Sequence, residues 1–386
     1  MRRIALVAMA GMAAVPAVAE PFVFSGVISG GVGYATNPFL RSGNGDGGDA
    51  GSALVSVSVA PRLTRTTPRG RTVVSGVYSR EEYLRRYGAS ENAQANLGHT
   101  EQLSERLSVN GNVGYSTSTN PLIGANLDRD LPDDVNVSDP LNIGRRSKRL
   151  SGNAGLQWQP SDLDSFNVGV NASHSSYKGS TLARDFDQYG GQLGYSRAVD
   201  ARTRVGVQLA ATQVENTIYP NTSSLQPAVT LQRQLSTIWA FNGNLGVILQ
   251  HVDGGGNSTS LGFGASLCGT YPRTSVCATA NRSSSASGLG GLRTSLEFGA
   301  TLRHELTERS RISAYASYQD SKAQQLLNFG VNKARVLQTR VDYGRDLSER
   351  ITVGVGGRYQ NRKFTQRSAD SLAGTINISA KIGRRT

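Results

Sequence analysis

The residues best suited to chemistry in this chain are cations set on alternating positions. Arg204, Arg293, Arg303, Arg311, Arg358, Arg362 and Lys381 each fall on the parity opposite to the aliphatic residues around them, and Tyr315 shares that parity. Guanidinium and ammonium groups held along a confined wall concentrate acidic solutes and favour anions over cations. A second reading places the same side chains near the rims of a fold, paired with lipid phosphates or with one another. A single bulge shifts the parity by one, so each assignment requires an unbroken strand.

No reacting set accompanies these cations. His99, His174, His251 and His304 lie on separate segments, and none stands in a recognisable nucleophile motif with Ser or Asp. Gly30-Gly31 and Gly254-Gly255-Gly256 have no helix start behind them, which phosphate binding requires. No catalytic residue, metal or cofactor is expected, and the chain reads as a non-enzyme. Cys268 and Cys277 lie among Ser, Thr, Gly and Asn with no His nearby in sequence. In an oxidising compartment that setting favours a disulfide, with two free thiols as the alternative.

The elements that must position these residues show a period of two. Val55, Val57 and Val59 alternate with Ser56 and Ser58. Phe166, Val168 and Val170 alternate with Asn167, Gly169 and Asn171. Ile376, Ile378, Ala380 and Ile382 alternate with Asn377, Ser379 and Lys381. Successive strand residues point to opposite faces, so each segment has one apolar and one polar face. The segments run for about 10–14 residues, longer than the usual globular strand and suited to a tilted membrane strand.

Seven short turns punctuate the segments: Leu103–Arg106, Leu306–Arg309, Leu347–Arg350, Val199–Arg202, Thr64–Gly70, Pro160–Ser165 and Leu235–Thr237. Between them lie longer polar links at Asn37–Gly51, Thr119–Arg146, Lys178–Asp187, Glu215–Gln226 and His251–Leu289, with shorter ones near Arg86, Lys322 and Gln366. Short turns on one side and long loops on the other predict an all-β, transmembrane, antiparallel up-and-down barrel of about 16 strands. The acceptable range is 14–18, and a further hairpin at Leu261–Ala278 would add two. Both cysteines then fall in the longest loop.

Composition narrows the class. The 386 residues contain 41 Lys+Arg against 28 Asp+Glu, a formal charge of +13. That charge is dispersed, which argues against nucleic acid. After the first residues no apolar run approaches the roughly 20 needed for a membrane helix. Arg2 and Arg3, the apolar stretch Ile4–Val15 and the small residues Ala17-Val18-Ala19 form an expected signal peptide over residues 1–19. Residues 20–386 are then one barrel domain, exported to a bacterial outer membrane.

On the signal peptide, the three L-S/T-E-R turns and repeats such as Gly111-Asn112-Val113-Gly114-Tyr115, the chain resembles the β-barrel porin 2 family of exopolysaccharide loci. The resemblance covers nearly the whole mature chain and supplies no catalytic residue. One departure is the ending Ile382-Gly383-Arg384-Arg385-Thr386, where outer-membrane barrels usually carry a terminal aromatic residue. The resemblance implies passage of an acidic exopolysaccharide, or diffusion of anionic solutes, through a basic lumen. Its implied partners are outer-membrane lipids and lipopolysaccharide, a polysaccharide chain with its export machinery, and the barrel-assembly machinery. Alternatives are a general porin without a polysaccharide role, or a barrel whose long loops carry adhesion or hydrolase activity.

Overall fold

In the computed structural model, the described residues are 22–40, 51–85, 87–119, 146–178, 183–288, 291–323, 333–364 and 367–383. The expected signal segment and most of the Thr119–Arg146 link fall outside them.

Among the described residues eighteen strands follow one another along the chain. The first six are β1 (Val23–Ala35), β2 (Ser52–Thr66), β3 (Gly70–Tyr83), β4 (Gly88–Ser104), β5 (Leu107–Ser118) and β6 (Arg146–Trp158). Next come β7 (Asp164–Lys178), β8 (Phe186–Asp200), β9 (Thr203–Asn216), β10 (Thr222–Gln234), β11 (Trp239–Val252) and β12 (Gly256–Thr270). The last six are β13 (Thr274–Ser287), β14 (Gly291–Thr307), β15 (Ser310–Ala323), β16 (Lys333–Asp346), β17 (Ile351–Phe364) and β18 (Arg367–Gly383).

Each strand pairs antiparallel with its neighbours in sequence, and the sheet closes on itself. Ile28 of β1 is opposite Val59 of β2 on one side and Ala380 of β18 on the other. Closure pairs every strand with two neighbours, the condition a sheet must meet to stand in hydrocarbon, and β12 and β13 part over the last residues away from their turn.

The strand number is 18 rather than about 16, at the upper end of the expected range, and the further hairpin expected at Leu261–Ala278 supplies the extra two strands. The whole His251–Leu289 segment, read as the longest loop, is mostly the β12–β13 hairpin, turned at Tyr271–Arg273. Its turn is an eighth short link beside the seven expected. Cys268 and Cys277 therefore do not sit in a long loop. They are directly opposite across β12 and β13, near the short-turn end, and form a disulfide with Cα atoms 4.1 Å apart. The sequence marks β13 weakly because its outer parity carries one branched aliphatic residue, Val276, with Ala278, Ala280 and Ala286, too little apolar contrast to show a clear period of two.

Alternation becomes a two-faced wall. Along β18, Leu372, Ile376, Ile378 and Ile382 are exposed, while Ser371 and Ala373 are buried. Val168, Val170, Val205, Val207, Leu209, Leu245, Val247 and Leu249 continue the exposed aliphatic face around the molecule. In a single closed sheet these side chains form the outside, and the opposite parity lines the inside. Among the described residues there is no central apolar core. The three buried apolar clusters among these residues all sit at the end of the barrel away from the short turns.

Two of those clusters come from backbone folded inward at that end. After β1 the chain turns so that Phe39 packs with Tyr83 and Tyr87 at ring distances of 5.7 and 6.2 Å. On the other side, β13 stays paired with β14 up to Ser287–Gly291, but pairs with β12 only as far as Arg282–Phe263. The freed tip leans across the interior. Leu292 joins Tyr177, Phe186 and Val214, three inward residues of β7, β8 and β9, and the Arg184 backbone N–H donates to the Gly288 carbonyl at 2.8 Å.

Candidate functional site: the barrel interior

Residues directly opposite in an antiparallel ladder share a face, so register assigns the interior. Tyr315 faces Arg340 on one side and Thr301 on the other, and Arg340 faces Arg358. Arg204 faces Gln232, and Lys381 faces Val27. By the same rule Arg293, Arg303, Arg311 and Arg362 lie on the face opposite to the exposed aliphatic residues of their strands.

The structure does not leave these cations bare. Arg358 donates through both terminal nitrogens to the Glu81 carboxylate at 3.1 Å, and the Tyr83 hydroxyl donates to the same carboxylate at 2.6 Å. Two donors in a planar fork match a carboxylate in direction as well as charge. Arg311 reaches Asp346 at 3.5 Å, and the Thr352 hydroxyl donates to that carboxylate at 2.5 Å. Arg293 is only 1% exposed and donates to the Ser321 hydroxyl at 3.0 Å. Arg362 donates to the Leu40 carbonyl at 2.9 Å, tying the inward-folded β1–β2 segment to β17. Arg204 donates to the Leu163 carbonyl and the Ser196 hydroxyl, each at 3.4 Å. Arg303 and Lys381 are also engaged. Tyr315 stays open, with 41% of its surface exposed.

Several interior residues escaped the sequence reading. Glu81 and Tyr83, Arg340 with Asp342 at 2.6 Å, and Arg62 and Arg71 all share the inner parity. Parity counted from Val74 and Tyr78 would have placed Glu81. The run Arg80-Glu81-Glu82 hides it, because charges on both faces erase the local alternation.

These groups divide the interior into two arcs. From β14 through β18 and on to β3, the wall carries paired Arg, Glu and Asp. From β4 to β13 it carries Asn, Gln, Ser, Thr and Gly, as in Asn112–Asn153–Asn171 across β5, β6 and β7. Among the described strand residues, Arg204 and Arg149 are the interior cations of that second arc. Among the described residues basic side chains outnumber acidic ones on the inner face, and most of their excess falls on the first arc.

The outer face is banded. Above the aliphatic belt, at the end away from the short turns, Arg80 pairs with Glu82 and Glu91 at 2.6 and 2.9 Å, and Arg146 pairs with Glu91 at 2.5 Å. Asp320 with Lys333 and Arg335, and His174 with Asp187, extend this charged band. At the short-turn end Trp158, Phe166 and Tyr195 stack at 5.4 and 4.9 Å, and Trp239 meets Tyr271 at 6.3 Å. His99 and His304 bond Thr72 and Thr274, both at 2.8 Å, and His251 bonds Asn257 at 2.7 Å. Among the described residues no His, Cys, Asp and Glu group has the arrangement of a metal site.

No protein-family model matches the chain, and no curated protein matches it. Solved structures similar to it include a BenF-like porin from Pseudomonas fluorescens Pf-5, at 10% identity and a TM-score of 0.49, covering 95% of this chain and 99% of that one. OccK2 (OpdF) of Pseudomonas aeruginosa, solved with glucuronate, matches at 11% identity and a TM-score of 0.46, covering 95% and 99%. The FrpB iron transporter from Neisseria meningitidis matches at 9% identity and a TM-score of 0.48, covering 93% and 82%. None of these likenesses bears on what the present chain binds.

Proposed function

We propose that this chain is an outer-membrane channel for hydrophilic solutes, exported by the signal-like segment at residues 1–19. The observation that carries the reading is the wall itself: one closed sheet, aliphatic outside and polar or charged inside. Exposed aliphatic rows of this extent are costly in water and favourable in hydrocarbon. An interior of amides, hydroxyls and ion pairs is favourable only if water fills it, and 18 strands give a bore wide enough for water. The short turns then face the periplasm, and the charged outer band meets lipopolysaccharide phosphates.

The finer reading is passage of exopolysaccharide or of anionic solutes. The excess of interior Arg and Lys supports an anion preference. The pairing of Arg358 with Glu81 and of Arg311 with Asp346 keeps that preference modest, which suits a general porin equally well.

Planar-bilayer recording of the purified, refolded chain tests both levels. The expected result is stable stepwise conductance with a reversal potential shifted toward the anion in a KCl gradient. Absence of conductance would remove the channel reading, and a clear cation preference would remove the role given to the basic residues.

A further inference from the structure

The amide-rich arc of the interior, where Arg149 and Arg204 are the cations, is built on one repeated device. Asn110 is opposite Gly155, Asn171 is opposite Gly190 and Asn244 is opposite Gly264. Asn96, Asn167 and Gln192 repeat the arrangement over Gly114, Gly194 and Gly169. A Cβ on Gly155, Gly190 or Gly264 would come within 2.5–2.7 Å of the facing amide. Each amide thus occupies the space that any larger neighbour would fill, and lies flat along the wall instead of standing into the bore.

These amides are unused by the protein. Among the described residues none of the six makes a side-chain hydrogen bond to another protein group. Five are exposed to the interior and Asn96 is half-buried. A primary amide offers two donors and a carbonyl acceptor. Its natural counterpart is a group that donates and accepts at once. A hydroxyl does both. A carboxylate or phosphate only accepts, and it would find stronger, charged donors on the opposite arc.

Neutral hydrogen bonds exchanged for bonds to water are nearly balanced in free energy, so contacts along such a surface form and break easily. Low relief removes the steric barriers between one contact and the next. Conduction needs both properties, since a site must bind and release.

We infer that the β4–β12 arc is a hydrogen-bonding track for an uncharged, hydroxyl-rich chain, of the class of neutral oligosaccharides. The inference rests on the channel reading above and names a substrate class for it.

The test is current block in planar bilayers by a neutral linear gluco-oligosaccharide, using the full-length chain. Wild type should show concentration-dependent block. The triple variant Asn110→Leu, Asn171→Leu, Asn244→Leu keeps side-chain size and removes the amides. Its block should weaken at least about tenfold, from the loss of several neutral hydrogen bonds, with small-ion conductance retained. The matching triple Ser variant keeps a hydroxyl at each position and should retain most of the block. Should the Leu variant fail to insert, Asn171→Leu alone decides, with an expected weakening of roughly fivefold. Block unchanged in the Leu variants, or a wild-type channel that conducts ions without any sugar-dependent block, overturns the track. A wild-type chain that conducts no ions overturns the channel reading instead.

Discussion

Arg358 and Glu81 join β17 to β3 across the seam where the sheet closes, and both side chains are largely withdrawn from solvent, at 15% and 11% exposure. Removing one partner of such a pair leaves a buried charge unanswered, whereas removing both leaves neither. Glu81→Gln should therefore cost about 3 kcal/mol in urea unfolding from lipid vesicles. The double variant Glu81→Gln, Arg358→Gln should recover most of that loss. A single variant costing no more than an exposed ion pair would show that the pair is water-screened and leave the seam to backbone pairing alone. The exposed pairs of the outer band, such as Arg80 with Glu82, should contribute little by the same measurement. The inward parity of Arg358 was readable from Val353, Val355 and Tyr359 on its own strand. Its partner was not, because Glu81 lies 277 residues away and only closure of the sheet brings the two together.

At the scale of the elements, the β12–β14 region separates what was legible from what was not. Strands with strong aliphatic contrast, such as β7 and β18, can be drawn from sequence nearly to their ends. β13 cannot, since Ser and Thr occur on both of its faces and small Ala supplies most of the apolar one. What pins it instead is the Cys268–Cys277 bridge, with a sequence separation of 9. Closing so short a loop restricts the unfolded chain by about 2–3 kcal/mol. Cys268→Ser, Cys277→Ser should lower unfolding stability by that order and leave conductance unchanged, because the bridge lies far from the inward-leaning tip. The tip itself was invisible to pattern reading. Its geometry follows from β13 leaving β12 beyond Arg282 and finding Tyr177, Phe186 and Val214 across the interior. Leu292→Ala should loosen that contact by about 2–3 kcal/mol and raise single-channel conductance as the mouth widens. Conductance unchanged by that substitution would mean the tip does not limit the path.

At the scale of the whole molecule, the division into an aliphatic outside and a wet inside is the feature on which every functional statement stands. Neighbouring residues of one strand should respond oppositely to the same change. Val170→Arg, on the exposed aliphatic face midway along β7, should cost about 2–4 kcal/mol in vesicle-embedded unfolding. Asn171→Arg, one residue on and facing the interior, should cost far less. Similar costs at both positions would mean that neither face meets hydrocarbon. The period of two and the turn spacing made the barrel legible. The separation of paired charge from bare amide around its circumference required the register.

The most direct measurement is labelling of single cysteines along β7 by a membrane-impermeant charged maleimide, with the chain in lipid vesicles and Cys268 and Cys277 replaced by Ser. A wet interior behind an aliphatic wall predicts rapid labelling at 167, 169 and 171 and protection at 166, 168 and 170. Labelling of the even set with protection of the odd set, or equal labelling of both, would contradict it.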